Sequence, residues 1–206
     1  FIYESEKVDR NGADYGNAQY IYDWGILDWE VTPNDDGEQV LYTNTAPVEF
    51  FQHPWFNPGI FMYSKLLYDR LIVTDAGFTS FSPQLAQDYS TADDGMSISF
   101  ELRDNAYWHD GSPVTVEDVK WSIEYALQVP ALHSVFNNTF TSIVGAEEFA
   151  NGNADEISGI TVDGNSVNIE FAELDPNMLL TFSQWPPLPK AQFEGSDPLQ
   201  FQQNQY

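Results

Sequence analysis

The chain has 206 residues, with 32 acidic and 7 basic side chains, a formal net charge of -25 and no cysteine. This charge makes nucleic acid and anionic membrane surfaces poor partners, and the lack of cysteine excludes disulfides, thiolate catalysis and cysteine metal ligands. Hydrophobic residues make up 42% of the chain and no stretch has the apolar length of a membrane span, so we expect a folded chain with a sizeable core.

The first part of the chain differs from the rest. Residues 1–37 are rich in Gly, Asn, Asp and aromatic residues without a sustained period of two or of 3.6, which predicts an irregular extension of unknown role. Residues 39–43 (QVLYT) predict a short strand. Leu66, Leu67 and Leu71 recur at helical spacing, so residues 62–73 are predicted to form an amphipathic helix.

Two β-hairpins are predicted next. Ile98, Phe100 and Leu102 alternate with polar residues, as in a half-buried strand, and the turn before them contains Gly95. The same pattern recurs over residues 158–171 (SGITVDGNSVNIEF), with Asp163-Gly164 at the turn.

Three helices are predicted around these hairpins. Thr115 stands where it can cap a helix over residues 116–127, with Asp118 at the capping-box position. Two shorter helices are predicted over residues 141–152 and 175–184. Helices mixed with antiparallel hairpins indicate a mixed α/β (α+β) fold.

The segment Trp108-His109-Asp110-Gly111 suggests either a catalytic cluster or a turn. Asp-Gly and the following Ser-Pro are typical turn dipeptides, and the segment joins a strand to a capped helix. A catalytic histidine needs a nucleophile or a second acid beside it, and Ser112 has no nucleophile-elbow context. We therefore interpret His109 as structural and expect no catalytic residue.

The same segment carries a resemblance to a known family. LRDNAYWHDGSPVTVEDVKWSIEYAL (102–127) resembles the signature of the extracellular solute-binding proteins of family 5, the oligopeptide- and dipeptide-binding receptors of ABC importers. Similar segments are LLYDRLIVTD, SPQLAQDYSTADDGMSISFELR, IVGAEEFANGNADEISGITVDGNSVNIEF and PPLPK, so that the likeness extends from about residue 39 to residue 190.

The resemblance implies the N-terminal lobe of a two-lobed, periplasmic-binding-protein-like fold of class II type. Residues 38–206 are then expected to be an incomplete receptor whose second lobe is missing. The implied function is capture of an oligopeptide or other small solute for import, with permease subunits in the membrane as partners and no cofactor. The resemblance places such a receptor at the extracellular face of the membrane or in the periplasm. The receptor is then either free or lipid-anchored through a segment not present here.

Three regions are candidates for ligand contact if the family's arrangement is carried over. Glu49, Phe50 and Phe51 lie in the loop after the first strand, where the phenyl rings are either an apolar wall or core, and Glu49 either binds a cationic group or is solvated. Phe136 and Asn137 form the second region, in which Asn137 is either a contact to peptide amides or a plain loop residue. Trp185 is the third, as a ligand-packing ring or as core.

Other functions remain open at this stage. Some family members bind nickel, but His53, His109 and His133 show no metal-ligand spacing on one helix, so no metal site is expected. The alternatives to a solute receptor are a carbohydrate-active enzyme that uses paired carboxylates, and a surface adhesin without a small ligand.

Overall fold

The computed structural model describes residues 55, 67–75, 78–128 and 136–195. The predicted extension 1–37, the predicted strand 39–43 and the site residues Glu49, Phe50 and Phe51 lie outside this range. The described residues belong to two compact units: Thr74–Ser80 belongs to one, and the others belong to the second.

In the first unit, the Asp75 carboxylate accepts hydrogen bonds from Thr79 N (2.6 Å), Thr79 Oγ1 (2.6 Å) and Ser80 N (3.0 Å), and these bonds lower the pKa of Asp75 to about 2.

The described elements are mixed strands and helices, as predicted. In chain order they are β1 (Ile72–Thr74), β2 (Phe81–Pro83), β3 (Ala86–Thr91), β4 (Ser97–Leu102), α1 (Val116–Gln128), α2 (Asn137–Thr141), α3 (Ala146–Ala150), β5 (Ile160–Asp163), β6 (Ser166–Glu170), α4 (Met178–Gln184) and α5 (Lys190–Phe193). No helix within these described residues is long and apolar enough to cross a membrane.

Both predicted hairpins are confirmed, and they join into one sheet. The strand order is β3-β4-β6-β5, with every neighbouring pair antiparallel. Ile98 pairs with Ile169 and Phe100 with Val167, and all four side chains are fully buried. This apolar face packs against helices: α1 contacts β5 and β6, and the ring of Phe182 in α4 lies 5.0 Å from that of Phe100. The core therefore lies between the inner face of the sheet and the helices.

The predicted capping box begins α1. Asp118 N donates to Thr115 Oγ1 (3.2 Å), and Thr115 N donates back to Asp118 Oδ2 (3.0 Å). Two N–H groups that the helix itself cannot pair are thereby satisfied reciprocally. Val116, Val119 and Ile123 form the buried apolar stripe of this helix.

Replacing Thr115 with alanine is expected to lower the free energy of unfolding by about 1 kcal/mol, because an N-cap hydroxyl is lost. Thr115→Ser is the matched control, since serine keeps the hydroxyl and should leave stability nearly unchanged. Urea denaturation of the 206-residue chain measures both variants. Equal stability of the alanine variant and the unmutated chain would contradict the assigned cap.

The helix predicted over residues 62–73 is wrong in its second half. Residues 62–66 lie outside the described range, Leu67 is helical, and Ile72–Thr74 form β1. The chain is extended there because Leu71 O accepts hydrogen bonds from Gln84 N and Ala86 N (both 3.1 Å), and β-branched side chains follow. Leu71 and Ile72 are both fully buried, which an amphipathic surface helix would not achieve for these two neighbours.

Of the helix predicted over residues 141–152, only Ala146–Ala150 is helical as α3, whereas Thr141 is the last residue of the preceding helix α2. Gly145 separates them with a φ of 79°, a left-handed conformation that interrupts an α-helix. Between them Ile143 forms an isolated bridge with Phe171 beside the sheet. The helix predicted over residues 175–184 is confirmed as α4, although it begins only at Met178, because Asp175 Oδ1 accepts from Asn177 N (2.8 Å) in a turn.

Candidate functional site

The Trp108–Gly111 segment is a hydrogen-bonded turn. Asp110 Oδ1 accepts from Ser112 N (2.9 Å) and from Ser112 Oγ (2.6 Å), and Asp110 Oδ2 accepts from Gln192 Nε2 (3.0 Å). These bonds lower the pKa of Asp110 to about 2, and the bond from the Ser112 hydroxyl makes the largest contribution. The hydroxyl of Ser112 thus donates its hydrogen bond to Asp110 within the turn. This is the arrangement of a hydrogen-bonded turn and not that of a nucleophile beside its general base.

His109 itself is exposed, and its ring meets the ring of Tyr68 edge-on at 5.6 Å. This contact agrees with the structural role predicted for the histidine. The neighbouring Trp108 is the residue of the turn that reaches inward, because its Nε1 donates to Asp118 Oδ2 (3.1 Å).

His109→Ala is expected to lower the melting temperature slightly and to leave ligand affinity of the whole gene product within a few-fold. The loss is an exposed aromatic contact, and aromatic pairs typically contribute about 0.5–1.5 kcal/mol. His109→Phe keeps a ring at this position and serves as the control. A loss of binding by orders of magnitude at unchanged stability would overturn the structural role.

Asp118 is the point where the turn, α1 and a later segment meet. It is buried, and its Oδ2 accepts from Thr115 N, from Thr115 Oγ1 (2.9 Å) and from Trp108 Nε1, while its Oδ1 accepts from Lys190 N (3.0 Å). A carboxylate surrounded by donors forms stronger hydrogen bonds than a neutral acceptor. Asp118 therefore holds the turn, the start of α1 and the segment at Lys190 together by hydrogen bonds.

The segment attached through Lys190 N is rich in proline. Residues 185–190 (WPPLPK) are here called the proline strap; its backbone is extended at Trp185 and Pro189, and its first five residues are buried. Ser122 Oγ accepts from Leu188 N (2.9 Å) and donates to Leu188 O (3.1 Å), and Trp55 Nε1 donates to Pro186 O (2.9 Å). The strap is thus held by side chains from two distant parts of the chain.

Trp185, the predicted ligand contact, begins the strap and is fully buried. Its ring lies 5.1 Å from Phe140, 5.9 Å from Trp55 and 6.3 Å from Phe182. The indole Nε1 has no hydrogen-bond partner in the described part of the chain. Trp185 therefore packs among aromatic rings, and within the described residues its buried N–H group is unpaired, which is costly.

The second predicted region lies next to Trp185. Phe136 is buried, and Asn137, half-buried, is the first residue of α2. Helix α2 reaches the strap through Phe140, and Thr139 Oγ1 lies 2.7 Å from Thr181 Oγ1 of α4. The structure therefore links Phe136 and Asn137 to Trp185 through Phe140. Their contact with a ligand stays a prediction, as does that of Glu49, Phe50 and Phe51 outside the described residues.

Two contributors to this neighbourhood were missed by the sequence reasoning. Ser122 lies between Val119 and Ile123 on the buried side of α1, where a polar residue signals a buried hydrogen-bond partner. Trp55 carries no comparable signal in its local sequence. Over the described ranges, no group of three or more His, Cys, Asp or Glu side chains could hold a metal ion, and His53 and His133 lie outside them.

Solved structures similar to this mixed α/β fold include a periplasmic oligopeptide-binding protein. Residues 80–205 match the bacterial extracellular solute-binding proteins, family 5, in the region described as its middle part. The chain belongs to this family.

Individual relatives agree with this assignment. The oligopeptide-binding protein OppA of Lactococcus lactis is 32% identical over 115 residues, which are 53% of this chain and 19% of that protein. A periplasmic oligopeptide-binding protein of Borrelia burgdorferi superposes with a TM-score of 0.54 at 27% identity, over 65% of this chain and 28% of that one. NikZ of Campylobacter jejuni, solved with Ni(L-His), gives a TM-score of 0.52 at 27% identity, over 67% of this chain and 25% of that one.

These likenesses confirm the predicted family and fold class. The chain spans only 19% to 28% of the length of these relatives. The activity, ligand and partners of a whole receptor are therefore matters of proposal for this chain.

Proposed function

We propose that this chain is part of the substrate-binding component of an ABC importer, which captures oligopeptides or a similar small solute outside the cell. The observation that carries the proposal is the family match over residues 80–205, which covers α1, the sheet and the proline strap. Relatives named as oligopeptide-binding proteins support peptide as the first ligand class to test. NikZ, solved with a nickel–histidine complex, supports keeping other small solutes among the ligands tested.

The proposal assigns one lobe of a clamshell to residues 38–206, with a ligand enclosed between this lobe and a second one. Asn137 would pair with peptide amides, while Phe136, Trp185, Phe50 and Phe51 would form the apolar wall. Glu49 would receive a cationic group. The neighbourhood of Phe136, Asn137 and Trp185 around Phe140 supports this assignment on the described side.

The remaining partners follow from the proposed role. A receptor of an importer delivers its solute to permease subunits in the membrane, so it works at the extracellular face or in the periplasm. We include in the proposal a lipid anchor on a segment outside these 206 residues as one way to keep the receptor there. The family binds solutes and has no catalytic step, so the proposal assigns no catalytic residue.

Native mass spectrometry of the whole gene product that contains this chain tests the ligand class. We expect the protein to carry co-purified masses that fragment as short peptides after release by acid. An unrelated acidic protein purified in the same way is the control for adventitious peptides. Failure to retain any peptide, together with hydrolysis of a panel of glycosides, would reject the receptor function in favour of the enzyme alternative.

A further inference from the structure

The proline strap has few backbone N–H groups of its own with which to form hydrogen bonds. Pro186, Pro187 and Pro189 have no backbone N–H, so the strap cannot pair as an interior strand. Residues 185–189 are nevertheless buried. Buried backbone groups need partners: Pro189 O accepts from Gln192 N (3.0 Å) and Phe193 N (3.3 Å), and side chains pair with Pro186, Leu188 and Lys190.

The side chains that pair with the strap contact every second residue. Trp55 pairs with Pro186, Ser122 with Leu188, and Asp118 with Lys190. Asp118 and Ser122 are four residues apart on α1, a rise of about 6 Å. Two extended residues cover about 6.6 Å, so this pair matches the spacing from Leu188 to Lys190. The helix therefore fixes the register of the strap.

The start of the strap is also fixed. Trp185 N donates to Thr181 O (2.9 Å) and ends α4, after which the backbone becomes extended with a ψ of 118°. A shift of the strap along α1 would move the Trp185 ring against Phe140, the fourth residue of the five-residue helix α2. Phe136 and Asn137, at the start of this short helix, would move with it.

We propose that Ser122 and Asp118 are positioning residues for ligand capture. They fix the register of the proline strap and thereby hold Trp185, Phe136 and Asn137 in their binding arrangement. Ser122 is the sharper test of the two, because its hydroxyl both accepts from and donates to Leu188, whereas Asp118 also caps α1. This inference rests on the proposed function and names the residues that organise its site.

Calorimetric titration of the whole gene product with a pool of short peptides compares three variants. Ser122→Ala removes both strap hydrogen bonds and is expected to weaken affinity at least ten-fold, equivalent to about 1.4 kcal/mol. Ser183→Ala is the matched control: Ser183 is equally buried, but its Oγ donates to Leu180 O within its own helix. The peptide affinity of Ser183→Ala is expected to stay within about two-fold of that of the unmutated protein. Its loss of stability should be similar to that of Ser122→Ala, in the range typical of a lost hydrogen bond.

Trp55→Phe supplies an independent variant, because it keeps an aromatic ring and removes the donor to Pro186 O. It is also expected to weaken peptide affinity more than Ser183→Ala does, and it serves alone if Ser122→Ala does not fold. Affinities of both strap variants equal to that of Ser183→Ala would overturn the positioning role while leaving the proposed function intact. Absence of peptide binding by the unmutated protein would reject the proposed function, and this role with it.

Discussion

Replacing Asp118 with alanine is expected to lower the free energy of unfolding of the chain by about 3 kcal/mol, since three half-buried donors lose their acceptor and about 1 kcal/mol for each is the lower end of the usual cost. The substitution removes the acceptor of Thr115 N, Trp108 Nε1 and Lys190 N at once. It therefore loosens the cap of α1, the signature turn and the proline strap together. Urea denaturation followed by tryptophan fluorescence measures the change.

Glu117→Ala is the matched control for Asp118. Glu117 is the other acidic residue in the first turn of α1, and it is exposed. Its removal should cost only the helix-dipole interaction, about 0.3–1 kcal/mol. Both measurements need the same salt concentration, because removing any carboxylate from a chain of net charge -25 also reduces repulsion. Similar costs for the two variants would contradict the assigned role of Asp118.

Gly159→Ala is expected to destabilise the chain by about 3 kcal/mol, the upper end of the usual cost of overpacking. A Cβ at this position would lie 2.8 Å from Glu170 O, 2.8 Å from Val144 O and 2.9 Å from Val144 Cβ. Neither carbonyl can move freely, because Val144 O accepts from Gly159 N (2.8 Å) and Glu170 O accepts from Val144 N (2.9 Å). The close approach of three backbone segments thus requires glycine.

Gly152→Ala is the control for this prediction. Gly152 has a φ of 72°, but a Cβ there would meet nothing within 4 Å. Alanine should therefore cost only the left-handed conformation, about 1–2 kcal/mol. If thermal denaturation finds Gly159→Ala no less stable than Gly152→Ala, the close packing at Gly159 is not present in solution.

The elements that the sequence predicts correctly are those whose signals are local. Ile98, Phe100 and Leu102 alternate along one strand, and the capping box places Thr115 and Asp118 three residues apart. The errors arose where tertiary packing overrides the local pattern. Leucines at helical spacing favoured a helix over residues 62–73, yet Leu71 O pairs with Gln84 N and Ala86 N, and Ile72–Thr74 form β1.

The candidate site is predictable only in part, for the same reason. Trp185 and Asn137 stand out as side chains suited to a ligand, but their neighbourhood depends on contacts between distant residues. Ser122 meets Leu188 across 66 positions, and Trp55 meets Pro186 across 131. No periodicity in the sequence encodes such pairs. A buried serine within an apolar stripe shows only that a partner exists, not which one.

Isothermal titration of the 206-residue chain and of the whole gene product with one peptide pool tests the central claim, that this chain supplies one lobe of a peptide receptor. We expect the whole product to bind peptide and this chain to bind it more weakly by several orders of magnitude. The second lobe would supply a large share of the binding free energy. Each tenfold loss of affinity corresponds to about 1.4 kcal/mol of binding free energy. No heat of binding with the whole product, or equal submicromolar affinity in both, would contradict the account.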